Sequence, residues 1–222
     1  MRCLVVNADD LGYDPEIDRG ILEAHARGIV TSATAMVLTP FSAAALRAAP
    51  PSLGIGLHVV LEPAMAGAAV ERAVREQVAR FRELRGAAPT HLDSHKHLHV
   101  APGALASFAR VAAELGLPVR AIDPVVRDAL RRAGVLALDR FLGDAALRPA
   151  WTEARLADAV ATLGEGTAEL MAHPGHRPSH ARTSFGVERE IELAALCSPT
   201  VRHAVEARGV RLCDYASVRA YR

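Results

Sequence analysis

Short apolar runs alternate with longer amphipathic segments along almost the whole sequence, and this alternation restricts the chain to few folds. The apolar runs are rich in β-branched residues and end in polar or loop-forming residues, which is typical of buried strands. The intervening segments carry apolar residues at helical spacing. The predicted strands are residues 2–6, 29–38, 53–60, 91–94, 119–122, 167–172 and 210–213. The predicted helices are residues 15–27, 42–49, 67–85, 102–115, 124–132, 152–163, 184–196 and 199–208. Residues 135–138 are a further candidate strand, and residues 141–144 are predicted to form a loop.

A strand followed by a helix thus recurs about six or seven times, which predicts an α/β protein with a parallel sheet and helices outside it. Our first prediction is an irregular, TIM-barrel-like (β/α) barrel, and the alternative is a doubly wound open sheet. We expect residues 1–222 to form a single domain, because such barrels often exceed about 200 residues as one unit. Half of the residues are hydrophobic, which is enough for a substantial core.

The charge balance argues against nucleic acid as a partner. The chain has 26 Lys and Arg against 25 Asp and Glu, so it has no overall basic character that would attract nucleic acid or an anionic membrane. Aromatic residues make up only 4% of the chain, which disfavours a surface for base stacking. No apolar run approaches the ~20 residues that a membrane-spanning helix needs, so we expect no membrane span.

The cysteines suggest a reducing environment. The chain has three, Cys3, Cys197 and Cys213, and they are scattered, odd in number and without a CxxC pair. The first apolar run is too short for the core of a signal sequence. We therefore expect no disulfide framework and a cytoplasmic location.

A dense histidine cluster follows the fourth predicted strand. Residues 91–99 contain four of the ten histidines, together with Asp93. Imidazole is the commonest metal ligand in proteins, and carboxylate oxygen suits hard divalent ions. The cluster lies where a strand ends and a helix has not yet begun, which is where α/β folds usually place their chemistry. The alternative is a solvated polar loop, or a weak surface site that traps metal without function.

Polar residues interrupt three other apolar runs near their carboxyl ends. Asp9 and Asp10 follow the first strand directly, His58 lies near the end of the third, and His173 follows the strand of residues 167–172. Each of these residues could instead have a purely structural role, because Asp favours turns and a lone histidine on a strand is often a hydrogen-bonded core residue. In a parallel sheet, however, all these strand ends meet at one face.

This set of residues predicts a metal-assisted hydrolase. One carboxylate and two imidazoles make a ligand set with open positions for water and substrate. A second carboxylate can then deprotonate the water, and another histidine can protonate a leaving group. No GxSxG, GxGxxG or P-loop pattern is present. Two alternatives stay open: a metal-dependent phosphoesterase, for which His97, His99 and His176 are spare ligands, and a non-catalytic metal- or sugar-binding protein.

The sequence resembles the YdjC-type carbohydrate deacetylases, including the chitooligosaccharide deacetylases and the hopanoid-associated branch. The segments that carry the resemblance are NADDLG at residues 7–12, GIVTS at 28–32, GLH at 56–58, THLDSHKHLH at 90–99 and MAHPG at 171–175. They are spread from the N-terminus to beyond residue 170, and their combination is specific to the family.

The resemblance implies a deformed (β/α) barrel that uses one divalent metal ion, magnesium or zinc. It implies hydrolysis of the N-acetyl group of an acetylated amino sugar, which releases acetate and a free amine. By the family pattern, Asp10, His58 and His95 would hold the metal, Asp9 would be the general base and His173 the general acid.

The resemblance also implies roles around this centre. Asp93, His97 and His99 would orient the ligands or face the substrate. Arg182, in the loop after His173, is a candidate for substrate contact, and the alternative is an ordinary surface arginine. A homodimer is implied as well. The sequence departs from the family at Leu11, where an aromatic residue is expected, and in the short segment between His58 and His91, a region that helps to cover the substrate.

Overall fold

The chain folds around one seven-stranded parallel sheet. A computed structural model describes residues 1–143 and 150–218. Its strands are β1 (Arg2–Leu11), β2 (Ser32–Ala35), β3 (Gly54–Val59), β4 (Leu92–Ser94), β5 (Arg140–Leu142), β6 (Gly166–Ala172) and β7 (Val210–Cys213). Its helices are α1 (Pro15–Arg27), α2 (Ser42–Ala48), α3 (Ala68–Arg85), α4 (Leu105–Leu115), α5 (Pro124–Arg132), α6 (Glu153–Ala161), α7 (Val187–Leu196), α8 (Pro199–Ala207) and α9 (Tyr215–Val218). A 3₁₀ helix, His95–Val100, follows β4.

Strand β1 is the centre of the sheet. The strands are hydrogen-bonded in the order β4-β3-β2-β1-β6-β5, and β7 also pairs with β1. β6 lies along β1 from Arg2 to Ala8, while on the opposite side β7 pairs with the start of β1 and β2 with its end. The parallel sheet curls into a half-barrel, which confirms the predicted TIM-barrel-like α/β architecture. Among the described helices, none has the length and apolar character required to cross a bilayer.

Helices α1 and α5 begin in the same way. In each, an aspartate precedes a proline, and its side chain accepts a hydrogen bond from a backbone N–H of the first turn. Asp14 caps α1 and Asp123 caps α5. In α1, Ile17 and Ile21 lie on the buried face and join a core shared with the sheet residues.

The structure corrects three of the predicted elements. Within residues 119–122, only Val119 forms a bridge, to Leu92, and residues 135–138 form no strand. The predicted loop at 141–144 was wrong, because Arg140–Leu142 forms β5 beside β6, and Asp144 lies outside the described residues. Such short strands are fixed by their neighbours in the sheet and are too brief to show a periodic pattern.

The expected absence of disulfides was also wrong, because Cys3 and Cys213 are bonded to each other. β7 pairs with β1 in a register that sets Val5 opposite Cys213, and the Cα atoms of the two cysteines lie 6.1 Å apart. A sequence separation of 210 residues conceals this neighbourhood in the sequence. Cys197 is a free thiol.

The disulfide between Cys3 and Cys213 leads to a testable prediction. A chromogenic thiol reagent should detect one thiol in the denatured, unreduced protein, from Cys197, and three after reduction. Cys3→Ser should lower the free energy of unfolding by about 2–4 kcal/mol, because the open chain regains conformational freedom when unfolded. Urea unfolding measures this change, with Cys197→Ser as the control. Three reactive thiols before reduction would contradict the assignment.

Candidate active site

The carboxyl ends of four strands meet around one cavity. Asp9 and Asp10 lie at the end of β1, His58 lies on β3, His95 follows β4, and His173 follows β6. The cavity has a volume of 360 Å³. It is lined by Asp9, Asp10, Tyr13, His58, His95, Lys96, His97, Met171, His173, Arg182, Thr183, Ser184, Phe185 and Arg189. The five residues predicted for catalysis and metal binding are therefore brought together.

The backbone at Asp10 is unusual. Its φ of 73° lies in the left-handed region, and the register of β1 against β2 shifts between Ala8 and Leu11. Non-glycine residues adopt this conformation at a cost of about 1–3 kcal/mol, and it is concentrated at functional sites. The adjacent carboxylates of Asp9 and Asp10 bind different arginines, Arg120 and Arg189.

Asp10, His58 and His95 converge on a common point. Asp10 Oδ1 lies 3.4 Å from His58 Nε2 and 3.3 Å from His95 Nδ1. This oxygen is buried and has no hydrogen-bond partner among the described residues, whereas Oδ2 accepts a 2.6 Å hydrogen bond from Arg189. A buried carboxylate oxygen rarely lacks a partner. Its isolation beside two imidazole nitrogens fits a site for a divalent cation.

Asp93 orients the His58 ring. His58 Nδ1 lies 2.7 Å from Asp93 Oδ1, and Thr34 donates a 3.0 Å hydrogen bond to the other oxygen of Asp93. A carboxylate in this position fixes the ring so that its second nitrogen faces the cavity. Burial disfavours a charged His58, but the carboxylates of Asp93 and Asp10 outweigh burial and raise its pKa to about 10. The site therefore attracts positive charge.

Arg120 forms a bidentate ion pair with Asp9, the predicted base. Its two terminal nitrogens each donate a 2.7 Å hydrogen bond to one oxygen of Asp9, and Asn7 donates another of 2.9 Å. Burial alone would raise the pKa of Asp9, but the Arg120 charge and hydrogen bonds hold it far below its usual range. The Asp9 carboxylate is therefore ionised at physiological pH, with both oxygens fixed in direction.

Arg120 lies at the centre of a buried charge cluster that was not predicted from the sequence. The side chain is fully buried and also lies 2.8 Å from Asp93 and 2.8 Å from Glu169 on β6. The hydroxyl of Tyr215 donates a 2.5 Å hydrogen bond to Glu169. The available signal was a charged residue inside each of two apolar runs, VRA at 119–121 and AEL at 168–170.

Replacing Arg120 with methionine should be strongly destabilising. Arg120→Met leaves buried carboxylates without their counter-charge, and we expect a loss of about 3–5 kcal/mol at neutral pH in urea unfolding. The control is Arg75→Met, which removes an exposed ion pair with Glu114 and should have little effect on stability.

The stability that Arg120→Met loses relative to the wild type should depend on pH. In the wild type the pKa of Asp9 is lowered, so its stabilising contribution is present above the unfolded pKa of about 4 and disappears only at much lower pH. Without Arg120, burial raises that pKa, so the variant loses stability as pH rises. The difference between variant and wild type should therefore shrink below about pH 5. A constant difference across pH would contradict the charge explanation.

His173, the predicted acid, lines the same cavity as Asp9 and Asp10. Its Nε2 is 4.0 Å from Asp9 Oδ2, and the side chain is 20% exposed. Its backbone N–H donates a 2.5 Å hydrogen bond to Glu192, and its ring contacts Phe185 at a centroid distance of 5.2 Å. Burial raises the pKa of Glu192, although His173 lowers it in part. His173 is thus open to the cavity on one side and held by α7 on the other.

The four residues predicted to orient ligands or face the substrate occupy two layers. His97 and Arg182 line the cavity, and burial lowers the pKa of His97 to about 3, which keeps it neutral. Asp93 and His99 are fully buried behind the cavity. His99 Nδ1 lies 2.7 Å from Ser94 Oγ, and its Nε2 lies 3.1 Å from the Arg120 carbonyl oxygen. Asp93 and His99 thus contact other residues of the site and do not line the cavity themselves.

A second cation position is poorly supplied with ligands. Asp9, His58 and Asp93 also lie close together, but Arg120 binds both of these carboxylates and His58 Nδ1 faces Asp93. His176, a spare ligand for the phosphoesterase alternative, lies 3.1 Å from Glu23 and does not line the cavity. Of the two groups of candidate ligands, Asp10, His58 and His95 therefore have the freer ligand atoms.

The fold and site together define a class: curled parallel α/β proteins whose strand ends hold one carboxylate and two imidazoles around a shared point. The sequence matches the family described as YdjC-like protein over residues 3–64 and 63–207, and the chain belongs to that family. The resemblance inferred from the five sequence segments is confirmed.

Named relatives match over nearly the whole chain. A carbohydrate deacetylase from Geobacillus stearothermophilus is 34% identical, over 96% of this chain and 97% of the relative. A chitooligosaccharide deacetylase from Enterobacter sp. (strain 638) is 33% identical, over 96% and 98%.

Solved structures share the fold. A protein from Enterococcus faecalis, described as a candidate for cellobiose-phosphate cleavage, superposes with a TM-score of 0.82 at 28% identity, over 98% of each chain. A family 4 acetyl xylan esterase from Clostridium thermocellum, solved with a cobalt ion, superposes with a TM-score of 0.61 at 12% identity, over 99% of this chain and 91% of that one. At that identity, the likeness concerns the fold alone.

Proposed function

We propose that this protein is a metal-dependent carbohydrate deacetylase that removes the N-acetyl group from an acetylated amino sugar. The observation that carries the proposal is the isolated Asp10 Oδ1 beside His58 and His95, with Asp9 and His173 at the same cavity. This arrangement supplies a cation site, a proton acceptor and a proton donor. The relatives named carbohydrate deacetylase and chitooligosaccharide deacetylase point to the same reaction.

Asp10, His58 and His95 would hold one divalent ion, magnesium or zinc. Two imidazoles and one carboxylate suit zinc better than magnesium, which prefers oxygen ligands. When bound, such an ion polarises a carbonyl group and lowers the pKa of a nearby water. Arg189, which binds Asp10 Oδ2, leaves Oδ1 directed at the ion position.

Asp9 would take the proton of the attacking water. The ion pair with Arg120 lowers the proton affinity of Asp9 but fixes the direction of both oxygens. A positioned base of this kind contributes about 100- to 10,000-fold to a rate. A bound metal ion that lowers the pKa of the water would make its proton easier for so weak a base to remove.

His173 would give a proton to the departing amine. In the reaction a C–O bond to water oxygen forms, the amide C–N bond breaks, and the nitrogen leaves with an added proton. The Nε2 of His173 lies within 4.0 Å of Asp9 Oδ2, so the donor and the acceptor flank one point in the cavity. His97, Lys96 and Arg182 on the cavity wall are candidates to bind sugar hydroxyl groups. A homodimer stays a prediction from the family. A cytoplasmic location also stays a prediction, but the bond between Cys3 and Cys213 removes the cysteine pattern as its support.

Acetate release from N-acetylglucosamine oligomers tests the proposal. The purified protein should release acetate and a free amine, lose this activity on chelation, and regain it with zinc or magnesium. Elemental analysis should find one ion per chain. Hydrolysis of a phosphate ester with two bound ions would favour the phosphoesterase instead. Sugar binding without acetate release from any acetylated amino sugar would favour the non-catalytic alternative.

A further inference from the structure

One wall of the cavity is formed by a segment without regular secondary structure. Residues 179–185, here called the wall segment, follow His173 in the chain and precede α7. Four of its residues line the cavity: Arg182, Thr183, Ser184 and Phe185. The shape of the cavity therefore depends on what holds the wall segment in place.

A single buried carboxylate, Asp14, holds the beginning of the wall segment. Its Oδ2 accepts hydrogen bonds from three consecutive backbone N–H groups, those of Ser179 (3.1 Å), His180 (2.6 Å) and Ala181 (2.8 Å). Its Oδ1 accepts a 2.9 Å hydrogen bond from the Glu16 N–H and so caps α1. Consecutive N–H groups that converge in this way form an anion-binding concavity, and Asp14 occupies it.

Tyr13 holds the next part of the wall segment. Its hydroxyl donates a 3.1 Å hydrogen bond to the carbonyl oxygen of Arg182, and its ring lines the cavity. Tyr13 and Asp14 follow closely after Asp9 and Asp10 in the chain. The turn that carries the proposed base and a proposed metal ligand is thus tied directly to the opposite wall.

We infer that Asp14 is a positioning residue that fixes the substrate-binding wall relative to the catalytic turn. The carboxylate bridges helix α1 and the wall segment, with one oxygen for each. Burial disfavours its charge, but the backbone N–H groups outweigh burial and lower its pKa, so it is ionised when it makes these bonds. The kinetic part of this inference rests on the proposed deacetylation, whereas the structural part does not.

The substitution Asp14→Ser separates the two tasks of this side chain. Serine is as good an N-cap as aspartate, so α1 keeps its cap, but serine has no second oxygen for the wall segment. The chain offers a matched control in Asp123→Ser, because Asp123 caps α5 before Pro124 and makes no contact with the wall segment in the described structure. Tyr13→Phe removes the other tie and keeps the aromatic ring.

Hydrogen exchange followed by mass spectrometry measures the tie without any substrate. In Asp14→Ser, we expect the amides of residues 179–181 to exchange at least about tenfold faster, because they lose hydrogen bonds to a charged acceptor. Tyr13→Phe should give a smaller increase, and Asp123→Ser none. Unchanged exchange in Asp14→Ser would overturn the inference.

Kinetics and zinc titration test the consequence for substrate binding. With N-acetylglucosamine oligomers, Asp14→Ser should raise KM about tenfold, change kcat by less than about threefold, and leave the affinity for zinc as in the wild type. A fall in kcat and zinc affinity at constant KM would overturn the inference, because Asp14 would then act on the catalytic turn. If Asp14→Ser exchanged faster but the wild-type protein released no acetate, the positioning role of Asp14 would be supported and the deacetylation rejected.

Discussion

Replacing Asp9 with asparagine is expected to lower kcat by about 100- to 10,000-fold while the protein still binds its metal. The amide of asparagine cannot accept the proton that the reaction removes from water. The proposed metal ligands Asp10, His58 and His95 are untouched, and Asp10 keeps its own arginine, Arg189. Acetate release measures turnover, and zinc titration measures the affinity for the metal.

The neighbouring residue provides the control. Asp10→Asn should lose metal affinity and turnover together, because it removes the charge that faces both imidazoles. Circular dichroism should show that both variants are folded, since Asp9→Asn leaves the buried Arg120 with fewer charged partners. Wild-type turnover in the Asp9 variant with metal still bound would refute the assignment of the base.

Replacing His95 with alanine should weaken zinc binding by more than about 100-fold, because substitutions even outside the ligand shell cost 10- to 100-fold. The side chain is 27% exposed, so its removal disturbs the core less than the loss of buried His58 would. Activity should fall with the loss of metal and return in part at high zinc concentration. Isothermal titration of the metal-free protein measures the change.

His176→Ala is the matched control for this experiment. His176 is exposed to a similar degree, pairs with Glu23 and does not line the cavity, so its removal should leave zinc affinity unchanged. If His95→Ala bound zinc as tightly as the wild type, the ligand set Asp10, His58 and His95 would be wrong, and the site would have to be sought elsewhere.

Local pattern was sufficient to predict the architecture and the residues at the strand ends. Helices α1 and α5 have the predicted bounds, because an aspartate cap followed by a proline marks the start of each. Asp9, Asp10 and His58 were found because polar residues that interrupt buried strands are costly unless they are used. Parallel strands then bring such residues to one edge of the sheet.

The arginines and the disulfide could not be predicted in the same way. Arg120 and Arg189 reach the site from positions 111 and 179 residues away from the aspartates that they bind. Their side chains are long, so the sequence position of each says little about where its guanidinium group lies. The bond between Cys3 and Cys213 depends on the register of β7 beside β1, which only the complete sheet defines.

The central place of β1 has a consequence for how the protein is made. β1 leaves the ribosome before β6, β7 and the two arginines, so Asp9 and Asp10 exist for some time as neighbouring, unneutralised carboxylates at the end of an apolar strand. Burying them in that state costs several kcal/mol per charge, on the order of a whole domain's stability. This edge of the sheet therefore reaches its charge balance only after Arg120 and then Arg189 have been synthesised.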